Sequence, residues 1–437
     1  MAKKKLNENH LFFPFQPIQT KNDHFYSGRR KFVNRVLENL TTPGSTLIIY
    51  GERQVGKTSL ANQVVNILNN KGSLKKDSLI EIPDFDRSTK CVTIDSSSFY
   101  LNIQGLLSSI ILAEHKNSLK RQFPEAYSSR VVENIVSETE GFTLNLSVLK
   151  YKNEAKTEVK NDSEKISAPD IVFDYFRRLV DYIQENQKVD LVFVIDEFDL
   201  LDDKSGVGQL IKLMPDTRFI IVGIADNINE LISDHKSVRA KLGSNKIKLP
   251  LFTEGEIGNI FELVQDTLKS EHGKEVQFDK NFKRVVYEDS GGLPGYAHLI
   301  GLNIIRIIKK NLKKDDIICV DSELYNKAVD KIFNLDLYEF YDDFDEATFS
   351  SIKEMIKEQP NNKEILFNLA EAPATGIEED ELYKGITEEY QGGFYDNLKS
   401  MLKDGMLKKV YGTNFVKFTD PLVRVSINVA RKYRILE

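Results

Sequence analysis

Cysteine is almost missing from this chain. Cys91 and Cys319 are the only two in 437 residues, too few for a disulfide framework or a cysteine-rich zinc site, and they fit a reducing compartment. The histidines (His10, His24, His115, His235, His272 and His298) never stand four apart, which excludes a metalloprotease helix. No apolar run approaches the roughly 18 residues of a membrane span. Met1-Ala2-Lys3-Lys4-Lys5 leads into polar sequence rather than the apolar stretch of a secretory leader. Neither sign of charge dominates: 60 basic and 66 acidic residues give −6, so a uniformly basic nucleic-acid coat is excluded and a local basic patch is not. Protease, nuclease and deaminase motifs are not evident. What is present, 41% hydrophobic and 29% charged residues, suits globular domains, and the length predicts two or three of them. The expectation is a soluble cytoplasmic protein with no membrane partner.

Residues 1–24 read as a polar arm with an apolar knot, Leu11-Phe12-Phe13-Pro14-Phe15, that packs on the next domain. From 25 to 250, short β-branched runs at 46–50, 91–94, 191–195, 219–222 and 247–249 alternate with helical patterns. Such runs predict buried central strands of a parallel sheet covered on both faces, hence an α/β core. Within it, Phe142, Leu144, Leu146 and Val148 alternate with polar residues before a charged stretch, which predicts a hairpin-like insertion over 142–165. Residues 251–335 turn helical, with Ile257, Ile260, Phe261 and Val264 at helical spacing, and Leu299, Leu302, Ile305 and Ile308 likewise. A linker and a last domain fill 336–437. Residues 338–391 carry 15 acidic and 4 basic side chains, and 392–437 carry 9 basic and 4 acidic, so the charge changes sign along this region.

Gly51-Glu52-Arg53-Gln54-Val55-Gly56-Lys57-Thr58 matches G-x-x-x-x-G-K-[ST] between a predicted strand and an amphipathic helix bearing Leu60, Val64, Ile67 and Leu68. Glycines let backbone N–H groups turn inward around phosphate oxygens, and the helix N-terminus, at Lys57, Thr58 and Ser59, adds a favourable field. Lys57 supplies a point charge to the phosphates, and the Thr58 hydroxyl can ligate Mg²⁺. The run 191–195 ends in Asp196-Glu197. Asp196 is placed to hold Mg²⁺ and Glu197 to polarise the attacking water as general base. Asp199 reads as a helix cap.

These motifs resemble the additional-strand, catalytic-glutamate P-loop ATPases, and within them the AAA+ origin-recognition-like and STAND-like ATPases of prokaryotes. Phe25-Tyr26-Ser27-Gly28-Arg29-Arg30 looks like the box that lines the adenine pocket, which implies Gly28 and Arg29 in nucleotide binding and ATP as the nucleotide. The strand 219–223 followed by Asp226-Asn227 resembles the one carrying the sensor 1 polar residue, and implies Asn227 at the nucleotide. His235-Lys236-Ser237-Val238-Arg239 resembles the helix bearing an arginine finger. Arg239 is thereby implied in transition-state stabilisation, in cis or in trans. Gly291-Gly292-Leu293-Pro294 resembles the glycine–proline segment of an all-helical lid, with Pro294 against the nucleotide. The lid has no arginine at the sensor 2 place, where His298 stands instead. The resemblance covers about 25–310.

In the last domain, helices predicted at 363–370, 378–385 and 394–403 precede two strand-like runs, 407–411 and 415–418, joined by Gly412-Thr413-Asn414. Three helices and a two-stranded wing look like a winged helix, closed by Phe418-Thr419-Asp420-Pro421, a segment similar to that of archaeal-type ATPases. A DNA-binding winged helix would use Lys399, Lys403, Lys408, Lys409 and Lys417. Protein docking is the other use of the fold. The reading is therefore an ATP- and Mg²⁺-dependent ATPase acting as a molecular switch on assembly or on a partner effector, a homo-oligomer in such families, as in defence against mobile elements. The alternatives are an origin-recognition-like initiator or loader on double-stranded DNA, and a scaffold that holds a structural nucleotide.

Overall fold

The computed structural model describes residues 8–14, 16–94, 102–137, 168–204, 206–225, 228–231, 245–309, 317–332 and 360–432. The insertion at 142–165, Asp226, Asn227 and the segment ending in Arg239 lie outside the described residues. None of the described helices is long and apolar enough to cross a membrane. Two compact units emerge: a sheet unit of Arg29–Gly51 and Lys57–Lys248, and a helical unit of Met1–Gly28, Glu52–Gly56 and Leu249–Glu437.

The sheet unit is built on five parallel strands: β1 (Thr46–Gly51), β2 (Ser88–Thr93), β3 (Val189–Ile195), β4 (Arg218–Ile224) and β5 (Lys246–Lys248), in the order β2-β3-β4-β1-β5. Each falls on one of the β-branched runs. Ile48, Phe193, Ile195, Phe219 and Ile221 share one face and one core with the helices Ile103–Leu112, Ala168–Gln187 and Val207–Leu213. Side chains alternate along a strand, so Leu47, Ile49, Val192, Val194, Ile220 and Val222, all buried, line the opposite face, where the helix Lys57–Leu68 packs. With a loop of phosphate-binding pattern after β1, this is the α/β fold of P-loop NTPases.

In the helical unit, Glu254–Thr267 begins with a capping box, Thr253 accepting from the Glu256 N–H while Glu256 Oε2 accepts from the Thr253 N–H. Lys280–Ser290, Pro294–Ile308 and Ser322–Lys331 complete a bundle around Phe261, Phe278, Phe282 and Tyr325, whose neighbouring rings lie 5.0–6.1 Å apart. The lid is not purely helical. A parallel pair, β6 (Glu275–Phe278) and β7 (Ile317–Val320), joins it, because Val276 and Phe278 alternate inward over a run too short to register as a strand in the sequence.

The apolar knot is buried, but on the helical region of residues 251–335, which is not the domain next to it in sequence. Leu11, Phe12 and Phe13 are buried, and Phe12 lies against Gly301, where an added Cβ would meet its ring at 2.2 Å. His298 closes this contact. Its Nδ1 accepts the Phe13 N–H at 3.4 Å, and Phe12 and Phe13 flank the ring, so it is a buried anchor for the arm. Burial lowers the imidazole from 6.5 to about 4. The unfolded chain therefore takes up the proton first, and the stability contributed by the neutral ring is complete above pH 6.5 and lost as pH falls towards 4. Over that window acid unfolding is expected to cost about 3 kcal/mol through this group. Chemical unfolding of a His298→Leu variant should show a flatter pH profile there, and an unchanged slope would remove His298 as its source.

The C-terminal domain follows the order Pro360–Glu371, β8 (Ile377–Glu378), Glu379–Gly385, Phe394–Lys403, β9 (Leu407–Lys409), β10 (Phe415–Phe418) and Pro421–Lys432. The three helices and two wing strands fall where the sequence places them. β8 is an addition, making an antiparallel sheet in the order β8-β10-β9. Gly376, at φ +102, makes the turn into it where an added Cβ would strike the Val416 carbonyl. Lys432 Nζ reaches Asp289 Oδ1 at 2.6 Å while Tyr325 Oη donates to Oδ2 at 2.6 Å, which ties the last helix to the bundle.

Candidate phosphate-binding site

β1 lies in the sheet between β4 and β5, and the chain leaves it at Gly51 to run through 52–56 into the helix Lys57–Leu68. Three loop positions have left-handed backbone: Gln54 at φ 66, Gly56 at φ 87 and Gly51 at φ 152. At Gly56 an added Cβ would find Phe252 only at 3.8 Å, so the backbone angle rather than space demands glycine. Val55 is buried. Lys57, Thr58 and Ser59 form the first turn of the helix, the end whose backbone N–H groups favour an anion. Lys57 is itself buried and its Nζ donates to the Gly51 carbonyl at 3.2 Å, drawing the ammonium across the loop.

The periodicity predicts one buried face for this helix. In the structure Gln63 and Asn66 are buried along with Leu60, Val64, Ile67 and Leu68, because the helix is covered by the sheet and by the helix Arg30–Asn39.

β3 ends at Ile195, two strands from β1 across β4, which is about 10 Å at ordinary strand spacing. The loop and the first turn of the helix carry Thr58 across, where its hydroxyl hydrogen-bonds the Asp196 carboxylate, and Lys57 contributes positive potential to it. Burial nevertheless raises the Asp196 carboxyl above the ordinary range, with Thr58, the Glu197 N–H and Lys57 acting in the opposite sense. A half-buried carboxylate beside a hydroxyl offers the oxygen ligands that fit magnesium when phosphate oxygens and waters complete its shell, and the Lys57 ammonium is a neighbouring charge and not a ligand. Glu197 follows with its side chain exposed and its backbone at φ 54, and its N–H donates to Asp196 Oδ1 at 2.9 Å.

Asp199 does not cap a helix. Its Oδ1 accepts the Ile224 N–H at 2.7 Å, bracing the acid turn against the end of β4. Arg29, also left-handed at φ 60, is buried with its guanidinium 5.5 Å from the Phe32 ring, and Gly28 has φ 62. Among the described residues five non-glycines have positive φ, and Arg29, Gln54 and Glu197 are three of them, all singled out from the sequence. Strain concentrates at such positions. Pro294 occupies the first turn of Pro294–Ile308, after Gly291 at φ 57 and Gly292 at φ 81.

Two residues of the loop are bound in a way the sequence does not announce. Glu52 Oε1 accepts from Lys417 Nζ at 2.9 Å, and Arg53 NH1 lies 3.4 Å from Asp420 Oδ2. Lys417 is buried in this ion pair and is not an exposed wing lysine, and Lys409 is paired with Glu379 at 2.6 Å. Lys399 and Lys403 are exposed. The only signal for these pairs is the Phe418-Thr419-Asp420-Pro421 segment, since no local pattern joins residues so far apart in sequence.

No protein-family model matches the sequence, and no curated protein matches it. Among solved structures the chain is similar to a Walker-type ATPase of Pyrococcus abyssi, at 14% identity over 95% of this chain and 100% of that one, with a TM-score of 0.43. It is similar to the ORC2 protein of Aeropyrum pernix in its ADPNP–ADP complexes, at 16% identity over 93% and 94% of the two chains and a TM-score of 0.46. The ORC1 protein of Aeropyrum pernix in complex with DNA is similar at 14% identity over 97% and 96%, with a TM-score of 0.41.

Proposed function

We propose that this protein binds ATP with Mg²⁺ at residues 51–58, hydrolyses it, and works as a nucleotide-dependent switch. The observation that carries this reading is the convergence of Lys57 and Thr58 on Asp196 at the ends of the strands. Loop N–H groups and the helix N-terminus hold phosphate oxygens, and Lys57 leaves the Gly51 carbonyl for the phosphates. Magnesium, when bound, would be held by Thr58 and Asp196 and would neutralise charge on the phosphates. Glu197 orients the attacking water and takes its proton. Adenine is the base that the Gly28-Arg29 box implies. Arg239 is the proposed source of charge at the transition state, from its own chain or a second copy. Nucleotide state then sets assembly or the control of a partner protein.

A second reading, an origin-recognition-like factor on duplex DNA, is supported by the exposure of Lys399 and Lys403 on one helix. It predicts steeply salt-dependent duplex binding that weakens when both are neutralised.

The first reading is tested by calorimetry with ATP and Mg²⁺. The unaltered protein is expected to bind and a Lys57→Ala variant to lose binding by about tenfold or more. Equal affinity in the two would remove Lys57 from the site, and no heat in either would remove the nucleotide.

A further inference from the structure

We propose that Lys417 and Asp420 of the C-terminal domain are working parts of the phosphate loop: Lys417 neutralises Glu52, Asp420 holds Arg53, and seating of this domain thereby sets affinity for the triphosphate. The proposal rests on the reading of residues 51–58 as a nucleotide site and adds a determinant of its affinity. Glu52 is an acid within a loop whose work is to hold anions, and a bare carboxylate there opposes the ligand. Lys417 answers it at 2.9 Å. The two side chains are 8% and 18% exposed, so this is not one of the surface pairs that contribute little. They border a cleft with Leu251, Leu293, Leu369, Phe418 and the half-buried Arg424, whose guanidinium also interacts with the Glu52 charge, so losing Lys417 removes the direct ion pair of Glu52 while a second cation stays in the cleft.

The C-terminal domain presents both residues from one rigid corner. Lys417 lies in β10, the middle strand of its sheet, opposite Lys408 of β9. Asp420, just beyond the end of β10, is fixed independently of Arg53, because its Oδ1 accepts the Leu422 N–H at 2.8 Å at the start of the helix Pro421–Lys432. Arg53 is half-exposed and bonds only at 3.4 Å, so it is the weaker of the two links. Lys417 and Asp420 touch the loop and not the phosphates; they are positioning residues. Linkage then works in both directions, and whatever strengthens the loop's hold on ATP strengthens the seating of the domain by the same factor.

The experiment measures the affinity of the full chain for a fluorescent ATP analogue in Mg²⁺, for the unaltered protein, Lys417→Met, Glu52→Gln and the double variant. Lys417→Met is expected to weaken binding on the order of tenfold, since Glu52 then loses its direct ion pair and opposes the phosphates more strongly. Glu52→Gln alone should bind more tightly than the unaltered protein, because the carboxylate that opposes the phosphates is gone, and the double variant should recover most of the affinity that Lys417→Met loses. A merely structural lysine would give no such rescue. Unchanged affinity in Lys417→Met, or a double variant as weak as Lys417→Met, overturns the proposal while leaving the nucleotide reading intact. Failure of the unaltered protein to bind overturns both.

Discussion

Replacing Glu197 with glutamine is expected to slow ATP turnover tenfold or more while ATP binding stays within about twofold. Loss of a general base ordinarily costs about 10²–10⁴-fold. The amide keeps the size of the side chain and the left-handed backbone at φ 54, so the Glu197 N–H still supports Asp196 Oδ1. What is lost is the capacity to accept a proton from water. The contrast with Lys57 is one of role. In the proposed mechanism Lys57 acts on phosphates already present in the ground state, whereas Glu197 acts on a group that becomes acidic only as the bond to phosphorus forms. Phosphate release at saturating ATP, measured beside equilibrium binding, separates the two. Equal turnover in the glutamine variant would move the base elsewhere.

Truncating Phe12 to alanine is expected to destabilise the helical unit by about 3–5 kcal/mol, the usual range for a fully buried phenylalanine. For a unit of this size that lowers the thermal midpoint by roughly 10 °C. Phe12 is 1% exposed, 5.9 Å from both Phe261 and His298 between ring centres, and seated on Gly301. Gly301, on which the ring sits, has no side chain to refill the space. Calorimetric melts of the full chain check the value. A loss below about 1 kcal/mol would mean that the arm is an appendage to the fold and not part of its core.

The strands, the phosphate loop and the paired acids were legible because each is local. Five buried β-branched runs gave five strands, and a contiguous motif marks the turn from β1 into its helix. Amphipathic helices such as Glu254–Thr267, with Ile257, Ile260, Phe261 and Val264 buried, were legible for the same reason. The short strands β6, β7 and β8 were not, since two to four residues carry too little periodicity to stand out. Roles decided by distant partners were also hidden. Lys417 has the composition of a DNA-contacting wing lysine, and only tertiary structure gives it Glu52. His298 occupies a place where a phosphate-sensing group is expected, yet burial makes it a neutral acceptor for the backbone of the arm. Asp199 looks like a cap by spacing and instead braces β4.

The packing of residues 52–56 with the C-terminal half bears on how such a chain can change over generations. A phosphate motif ordinarily tolerates wide variation at its unspecified positions. Here two of them answer to a lysine and an aspartate encoded hundreds of positions later, so an exchange of either half alone would bring together an acid without its base. Substitutions at 52 and 417 are expected to be inherited as a pair.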